Sequence, residues 1–387
     1  MGSSSRRHPG CRSGALLAGA APSRDRAGAV GRRIRFGGSC ARLGGCRGHG
    51  GRGVIGWYVH HHGWGHATRL RAIVPHLDDE VTVFSSLPEP IGLPAGARWM
   101  RLPSDADDII GVDGARRPAR HFGDETARGS LHWAPIAHPG HRARLAVIAD
   151  WAAAGEVSAF VVDVSAEVSA FVRLLGIPTV VVAQPGRRTD RPHRMAYEMA
   201  DCILAPWAAG TIPAEGLAGF DDRVRRVGGV SRYDGRGAGH ASGRQVLFLG
   251  RTVDDVVLRR AIALLRADGW SVETAGTGDG DRIDDVWPMI ARAQVVVSAA
   301  GQNSVADLAA ANARAVVVPQ ERPFDEQGET ARVLAAGGWA EVAPPSVDPE
   351  QLVGLVTRAS DRTPDWSGWQ VRGAAARAAA VIGEVRV

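Results

Sequence analysis

The chain has 387 residues, 45% of them hydrophobic and 22% charged, with a formal net charge of +5. That length holds two cores of ordinary size, and no apolar run in it approaches the roughly 20 residues of a membrane-spanning helix. Lysine is absent, so Lys+Arg is all arginine, which reads as base-composition bias rather than chemical need. The charge is unevenly placed: residues 1–52 hold eleven Arg against one Asp, a net +10, and the remainder carries −5. The basic balance therefore belongs to the N-terminal segment, and the acidic body argues against a nucleic-acid-binding fold. Cys11, Cys40 and Cys46 lie in that segment at irregular spacing and only Cys202 lies in the body. No metal-ligand pattern or disulfide framework follows, and a reducing cytoplasm is the simplest setting.

Residues 1–52 are rich in Gly, Ser, Ala and Arg without sustained periodicity, and they bury too little apolar surface to offset ordering entropy. They are expected to be a disordered tail. Three origins compete for it: a twin-arginine signal at Ser5-Arg6-Arg7, a basic arm for an anionic surface, and translated upstream sequence, which the abrupt start of a strand at Val54 favours. From there strands alternate with helices. Strands are expected at Val54–Val59 and Glu80–Ser85, with a helix from Thr68 to Leu77 between them. A long irregular stretch over residues 101–135 follows, then a helix from His141 to Ala154, a strand Ala159–Val164, a helix Glu167–Leu175 and a strand Thr179–Val182. After a Gly/Arg-rich linker near Gly228–Gly243 a second set begins. It comprises strand Gln245–Leu249, helix Asp254–Arg266, strand Ser271–Thr274, helix Val286–Ala293 and strands starting at Val295 and Ala315, with an Ala-rich helix over residues 366–387. This alternation implies parallel sheets with helices on both faces, and ligands collect at the carboxyl ends of such strands.

The densest chemistry follows the strand at Val295. Gly301-Gln302-Asn303-Ser304 reads as a small-residue turn that opens a helix, aiming backbone N–H groups and a helix dipole at a phosphate. Asp307 lies further along that helix, where a carboxylate can reach ribose hydroxyls. The strand from Ala315 opens into a polar loop with Asp325, Glu326 and Gln327, side chains suited to sugar hydroxyls. Diphosphate, ribose and sugar are together the parts of a nucleotide sugar. In the first half, His60-His61-His62-Gly63-Trp64-Gly65-His66 is a poor metal site, because consecutive histidines diverge and no carboxylate follows at helical spacing. It is a better strand-to-helix turn, with Gly63 and Gly65 permitting close approach and His66 at the helix start, although a plain solvated turn competes evenly. Gly250 and Arg251 occupy the equivalent turn of the second half, where an ordinary tight turn is the simpler reading. Arg232 in the linker is either a phosphate ligand or a surface arginine. Asp163 ends a strand at the cleft and either handles a hydroxyl proton or, the expected role, caps the next helix.

These residues resemble the family-28 glycosyltransferases, whose best-known members transfer N-acetylglucosamine from UDP to a lipid-linked peptidoglycan precursor. Gly63-Trp64-Gly65-His66 is similar to the family's N-terminal glycine turn, whose histidine is a candidate base. Gly176-Ile177-Pro178-Thr179, Ala183-Gln184 and Ala200-Asp201 resemble its next signature. Ile283-Asp284-Asp285-Val286 is similar to the segment that frames uracil, which implies that Ile283 backbone groups meet the base. Gly301 to Asp307 resembles the strongest signature, with Asp307 at the place of a ribose-binding glutamate, and Asp325-Glu326-Gln327 falls where donor-sugar hydroxyls are held. The His run and the reduced turn at Gly250 depart from the family, and its hydrophobic, basic membrane-docking patch has no counterpart around residues 110–135.

The resemblance implies a GT-B fold: two Rossmann-like domains, 53–235 for the acceptor and 236–365 for the nucleotide sugar, facing a cleft, with 366–387 closing the chain. The expected activity is metal-independent transfer of a hexose or N-acetylhexosamine from an NDP-sugar, UDP-linked, to a hydroxyl of a lipid-linked or small-molecule acceptor. No cofactor and no nucleic acid are expected, and the setting is the cytoplasm or the inner membrane face. An NDP-sugar hydrolase or epimerase on the same fold, and a non-catalytic nucleotide-sugar binder, are the rivals.

Overall fold

A computed structural model describes residues 53–387 apart from 62, 112, 238–242 and 279–282. The expectations for the tail and for His62 lie outside the described residues. Residues 51–387 form one compact unit.

The first half is built on strands β1 (Val54–Val59), β2 (Glu80–Ser85), β3 (Ala97–Arg101), β6 (Val157–Asp163), β7 (Thr179–Val182), β8 (Cys202–Ala205) and β9 (Val224–Arg226), with a hairpin of β4 (Ile109–Ile110) and β5 (Arg116–Arg117) between β3 and β6. The seven strands form one sheet in the order β3-β2-β1-β6-β7-β8-β9. Every pairing in it is parallel, which fits strands such as β7 that are apolar on both faces and need cover from helices. Those helices are α1 (Gly65–Ile73), α2 (Pro139–Ala153), α3 (Ala166–Leu174) and α4 (Arg191–Met199). The strand order reverses between β1 and β6, and register sets Val59 opposite Asp163 there. The crevice of such a sheet opens at this reversal.

The second half carries β10 (Gln245–Leu249), β11 (Ser271–Ala275), β12 (Val295–Ala299), β13 (Ala315–Val318) and β14 (Glu341–Val342), parallel in the order β11-β10-β12-β13-β14. Its helices are α5 (Asp255–Ala267), α6 (Trp287–Arg292), α7 (Gln302–Ala310), α8 (Glu326–Ala336) and α9 (Pro349–Ser360). Here the order reverses between β10 and β12, so the turns at Gly250 and Gly301 stand side by side.

The last helix, α10 (Ala374–Glu384), is shorter than the expected 366–387. Trp366 and Trp369 are buried in a short turn in the core under the second sheet, and Gln370 and Gly373 adopt positive φ, which prevents a continuous helix. The helix itself packs Ala375, Ala378 and Ile382 into the core with Ile55 and Leu70 of the first half. The chain thus ends where the fold begins. No helix among the described residues is long and apolar enough to cross a membrane.

Candidate functional site

At the reversal of the first sheet, β1 runs into the histidine turn. Gly63 takes φ +82° there, and α1 begins at Gly65, earlier than the expected Thr68. His60 and His61 stack on each other at 4.6 Å, and His66 meets the edge of His60 at 6.2 Å. His66 Nδ1 lies 2.9 Å from Asp163 Oδ1, and Arg69 Nη1 donates to the same oxygen at 3.4 Å. Asp163 is fully buried. Burial by itself would raise its pKa, but the charges of Arg69 and His66 and the His66 hydrogen bond outweigh it and hold the carboxyl below its usual value. An ionised carboxylate against Nδ1 requires the proton on that nitrogen, which leaves Nε2 as the basic one. Asp163 therefore does not cap α3; Ser165 does, accepting from Val168 N at 3.1 Å. The capping role expected of Asp163 is corrected by a neighbour two residues on.

The second sheet's reversal faces this one. Asn303 Nδ2 donates to Gly65 O at 2.5 Å and Arg69 Nη2 donates to Gln302 Oε1 at 3.1 Å, so the first residues of α7 lie against the first turns of α1. Gly301 is the N-cap of α7 and no side chain caps that helix; the same holds for α1 behind Trp64. A Cβ on Gly301 would meet nothing nearer than Gln327 Nε2 and Ser304 Oγ at 3.9 Å. Two uncapped helix heads with room above one of them suit an anion. Two expected donors are corrected. The Gly63 amide donates to His61 O at 3.0 Å and the Gly250 amide to Ala275 O at 2.7 Å. Neither N–H is available to a phosphate, because each closes a turn or extends a strand pairing. Arg251, beside Gly250, is exposed.

Asp325, Glu326 and Gln327 are not three side chains of one loop. Glu326 and Gln327 open α8. Gln327 Oε1 accepts from Ala300 N at 3.1 Å and Gln320 N at 2.9 Å, bracing the turn at Gly301. Glu326 pairs with Arg188 of the first half at 3.2 Å, and Asp325 with Arg332 of α8 at 3.1 Å. Phe324 and Asp325 sit at φ +62° and +55°, a left-handed pair that breaks the expected loop before the helix.

Asp307, Arg232 and the Ile283 segment do come together. Asp307 is 5% exposed. Its Oδ1 accepts from Ser231 Oγ at 2.6 Å, and its Oδ2 lies 3.5 Å from Arg232 Nε. Burial drives its pKa up to about 6, with Ser231 and Arg232 opposing. Arg232 Nη1 donates to Asp284 O at 3.0 Å and Tyr233 Oη accepts from Val286 N at 3.1 Å, which fastens the segment after Ile283 to the linker. Ile283 is 40% exposed.

A further group gathers around Gln184 of the Ala183-Gln184 segment. Beside His66, a cavity of about 40 Å³ is lined by His132, Ser165, Val182, Gln184, Arg188 and Tyr197. Gln184 Nε2 lies 3.5 Å from His66 Nδ1, and Gln184 Oε1 accepts from Arg188 Nη2 at 2.8 Å. Phe324 of the second half packs beside this group: its carbonyl accepts from Arg187 N at 2.7 Å and Arg188 lies over its ring at 4.9 Å. His132, Asp190 and His193 bring possible ligand atoms within 4.8 Å of one another. The trio does not suit a cation. His193 Nε2 accepts from Arg188 Nη1 at 3.0 Å and its Nδ1 faces Asp190 at 2.7 Å. Burial and the Arg188 charge accordingly push its pKa down to about 4, against Asp190. Arg69 and Arg188 carry no sequence signal beyond lying near recognised segments; Gln184 lies within one, the Ala183-Gln184 signature, and Ser231 stands next to Arg232.

Residues 282–364 match the model of the glycosyltransferase family 28 C-terminal domain. That stretch, within the second half of the chain, is similar to such a domain. The resemblance seen in Ile283–Val286 and Gly301–Asp307 is borne out there. Two curated relatives, each described as a UDP-N-acetylglucosamine--N-acetylmuramyl-(pentapeptide) pyrophosphoryl-undecaprenol N-acetylglucosamine transferase, come from Synechococcus elongatus and a Synechococcus species. Each is 34% identical over 110 residues, 24% of this chain and 30% of the relative. The match thus spans under a third of the curated relatives' length. Among solved structures, MurG of Acinetobacter baumannii is 17% identical with a TM-score of 0.56, over 86% of this chain and 100% of that one. A UDP-glucosyltransferase of Polygonum tinctorium is 12% identical with a TM-score of 0.60, over 87% and 99%. The spinosyn rhamnosyltransferase SpnG is 18% identical with a TM-score of 0.53, over 86% and 96%. At these identities the likeness is one of fold, and the fold is GT-B.

Proposed function

We propose that this chain transfers a hexosyl or N-acetylhexosaminyl group from an NDP-sugar, UDP-linked, to an acceptor hydroxyl, acting from the cytoplasm or the inner membrane face. The observation that carries this reading is the His66–Asp163 pair set against the uncapped head of α7. Residues 53–235 supply the acceptor side and 236–365 the donor side, with residues 366–387 returning to the first sheet.

In this mechanism Asp163 fixes the Nδ1–H tautomer and His66 Nε2 takes the acceptor's hydroxyl proton as its oxygen forms the bond to the anomeric carbon. The bond from that carbon to the diphosphate breaks, and the diphosphate leaves with the electron pair. The head of α7 at Gly301, Gln302, Asn303 and Ser304, the Gly65 amide, Arg232 and Arg251 stabilise that charge through helix dipoles, N–H groups and guanidinium, the role a divalent ion would otherwise fill. Ile283 lies against the base. Asp307 meets the ribose by exchanging the Ser231 hydroxyl for those of the sugar, and Glu326 and Gln327 stand nearest the donor hexose. The cavity between His132 and Tyr197 receives the acceptor.

Hydrolysis of the donor is the second reading, because about 40 Å³ beside His66 suits a water better than a sugar acceptor unless the cavity opens. Thermal shift across UDP, TDP, GDP and their sugars identifies the donor, since a ligand of the native state raises apparent stability. Release of nucleotide from donor alone is then compared with release in the presence of hydroxyl acceptors. Acceptor-dependent release supports transfer. Equal release in both favours hydrolysis, and binding without turnover removes the enzymatic reading.

A further inference from the structure

Arg69 has no part in the chemistry above, yet its side chain reaches both sides of the site. It lies on α1 one turn beyond His66 and is 3% exposed. One arm of its guanidinium reaches Asp163 Oδ1 at 3.4 Å and the other reaches Gln302 Oε1, on the first residue of α7, at 3.1 Å. A buried guanidinium placed only to neutralise a carboxylate takes the two-pronged, parallel geometry its planar fork favours. Here it does not. Arg69 Nε, Asp163 Oδ2 and Gln302 Nε2 are all buried without a partner, so bidentate closure on Asp163 has been forgone in favour of a span between helices.

We propose that Arg69 is a positioning residue that holds Asp163, and through it His66, in register with the head of α7, so that base and donor helix are aligned as one unit. The proposal rests on the transferase reading. Asn303 fastens α7 to the backbone at Gly65, but among the described residues only Arg69 ties α7 to the side chain that orients His66. Without it, Asp163 keeps His66 as its sole side-chain partner at the end of β6, and the imidazole is free to swing with α1. Misplacement of a reacting group by about 1 Å costs up to about 10²-fold in rate.

The test uses Arg69→Met, Arg69→Lys, Gln302→Ala and the Met/Ala double variant of the full chain. Three readouts are transfer kinetics, UDP affinity by calorimetry, and nitrogen-15 histidine NMR of the His66 Nδ1–H, assigned with His66→Ala. Arg69→Met is expected to lower kcat by about 10–100-fold with the UDP Kd within about threefold, and to broaden or shift the His66 Nδ1–H signal. Arg69→Lys recovers part of the signal but not the rate, because one ammonium cannot span both partners. Gln302→Ala lowers kcat less, and the double variant is no worse than Arg69→Met. An unchanged kcat and an unchanged His66 signal in Arg69→Met overturn the proposal, as do losses in the two single variants that multiply in the double. Should Arg69→Met not fold, Arg69→Lys and Gln302→Ala carry the same comparison. Failure of the transferase reading shows differently: the wild type has no turnover, while the His66 signal still reports whether Arg69 sets it.

Discussion

The two sheets reverse their strand order at the same place in the fold and do opposite things with it. At the first reversal, β1 against β6, the chemistry sits on side chains: His66, Asp163 and Arg69, all nearly or wholly buried and paired with one another. At the second, β10 against β12, it sits on backbone: glycine turns and the uncapped head of α7. A buried carboxylate must be paired or it protonates, which binds three side chains into one geometry. A helix head needs no such pairing and keeps its partial charge for a ligand. The difference teaches how the labour is divided. In the proposed mechanism the first half moves a proton and the second holds an anion.

The sharpest way to break that contrast is at the base. His66→Ala is expected to lower turnover by about 10²–10⁴-fold, the usual loss of a positioned general base, with UDP affinity within about threefold. Asp163→Asn should approach the same loss by allowing the wrong tautomer, as an amide accepts Nδ1–H without favouring it. His60→Ala, whose ring lies 6.2 Å from that of His66, should cost far less. Initial rates at saturating donor, beside calorimetric UDP titration, decide it. Equal losses at His60 and His66 would mean a structural turn.

Gln327→Leu probes the backbone side. It strands the N–H groups of Ala300 and Gln320, both held by Gln327 Oε1, at about 1–3 kcal/mol for a buried donor such as Ala300 N–H and less for the part-buried Gln320 N–H. Chemical denaturation should show a loss of about 2–4 kcal/mol, with Gln327→Glu, which keeps an acceptor, closer to wild type. A stable Gln327→Leu with weakened donor binding would instead make this side chain a ligand of the sugar.

Much of this architecture is legible in the sequence, and distance along the chain decides which parts. The motif from Gly301 to Asp307 is contiguous, so its turn and helix read together. The His66–Asp163 pair spans 97 positions, and Asp163 taken alone reads as a helix cap. Among the elements, α9 is absent from the sequence reading although Asp348 and Gln351 form a capping box, a signal that lies in the sequence. The helix α4 is absent from it because it opens on Arg191-Pro192-His193-Arg194, whose polarity hides the cap at Asp190. Gly63 and Gly250 read as phosphate donors because glycine marks a turn, but only the hydrogen-bond pattern shows where its N–H goes.

Asp307 supplies a pH test of comparable size. Its folded pKa is raised from 3.8 to about 6, so the folded state holds a proton that the unfolded chain releases. The stability this contributes is complete below about pH 4 and lost as pH rises through about 6. Asp307→Asn stays neutral throughout. Relative to wild type it should therefore gain up to about 3 kcal/mol at pH 7, since each pH unit between the unfolded and folded pKa is worth about 1.36 kcal/mol, and nothing near pH 4. Urea unfolding of both proteins at pH 4 and 7 gives the difference directly, cancelling the opposite contribution of His193. The same variant should weaken UDP binding by about tenfold if the carboxylate meets the ribose. A stability gain with unchanged UDP affinity would leave Asp307 as an anchor for Ser231 and Arg232 alone.

The smallest effect tests whether the two reversals differ in the way claimed. Gly250 sits at φ +75°, and a methyl group placed on its Cα would meet nothing within 4 Å. Gly250→Ala therefore meets no clash and bears only the cost of left-handed backbone, about 1–2 kcal/mol. Its N–H continues to serve Ala275. The expected outcome is a modest drop in melting temperature with UDP affinity unchanged within about twofold. Gly301 is the contrast: its φ of −68° is ordinary, so Gly301→Ala should leave stability intact and act on UDP affinity instead, because its methyl projects into the open space at the head of α7. The pair therefore separates a turn that the fold needs from a turn that the anion needs. If Gly250→Ala weakens UDP binding and Gly301→Ala does not, the anion lies over β10 rather than β12, and the second half's binding groups are to be sought around Arg251 and Thr252.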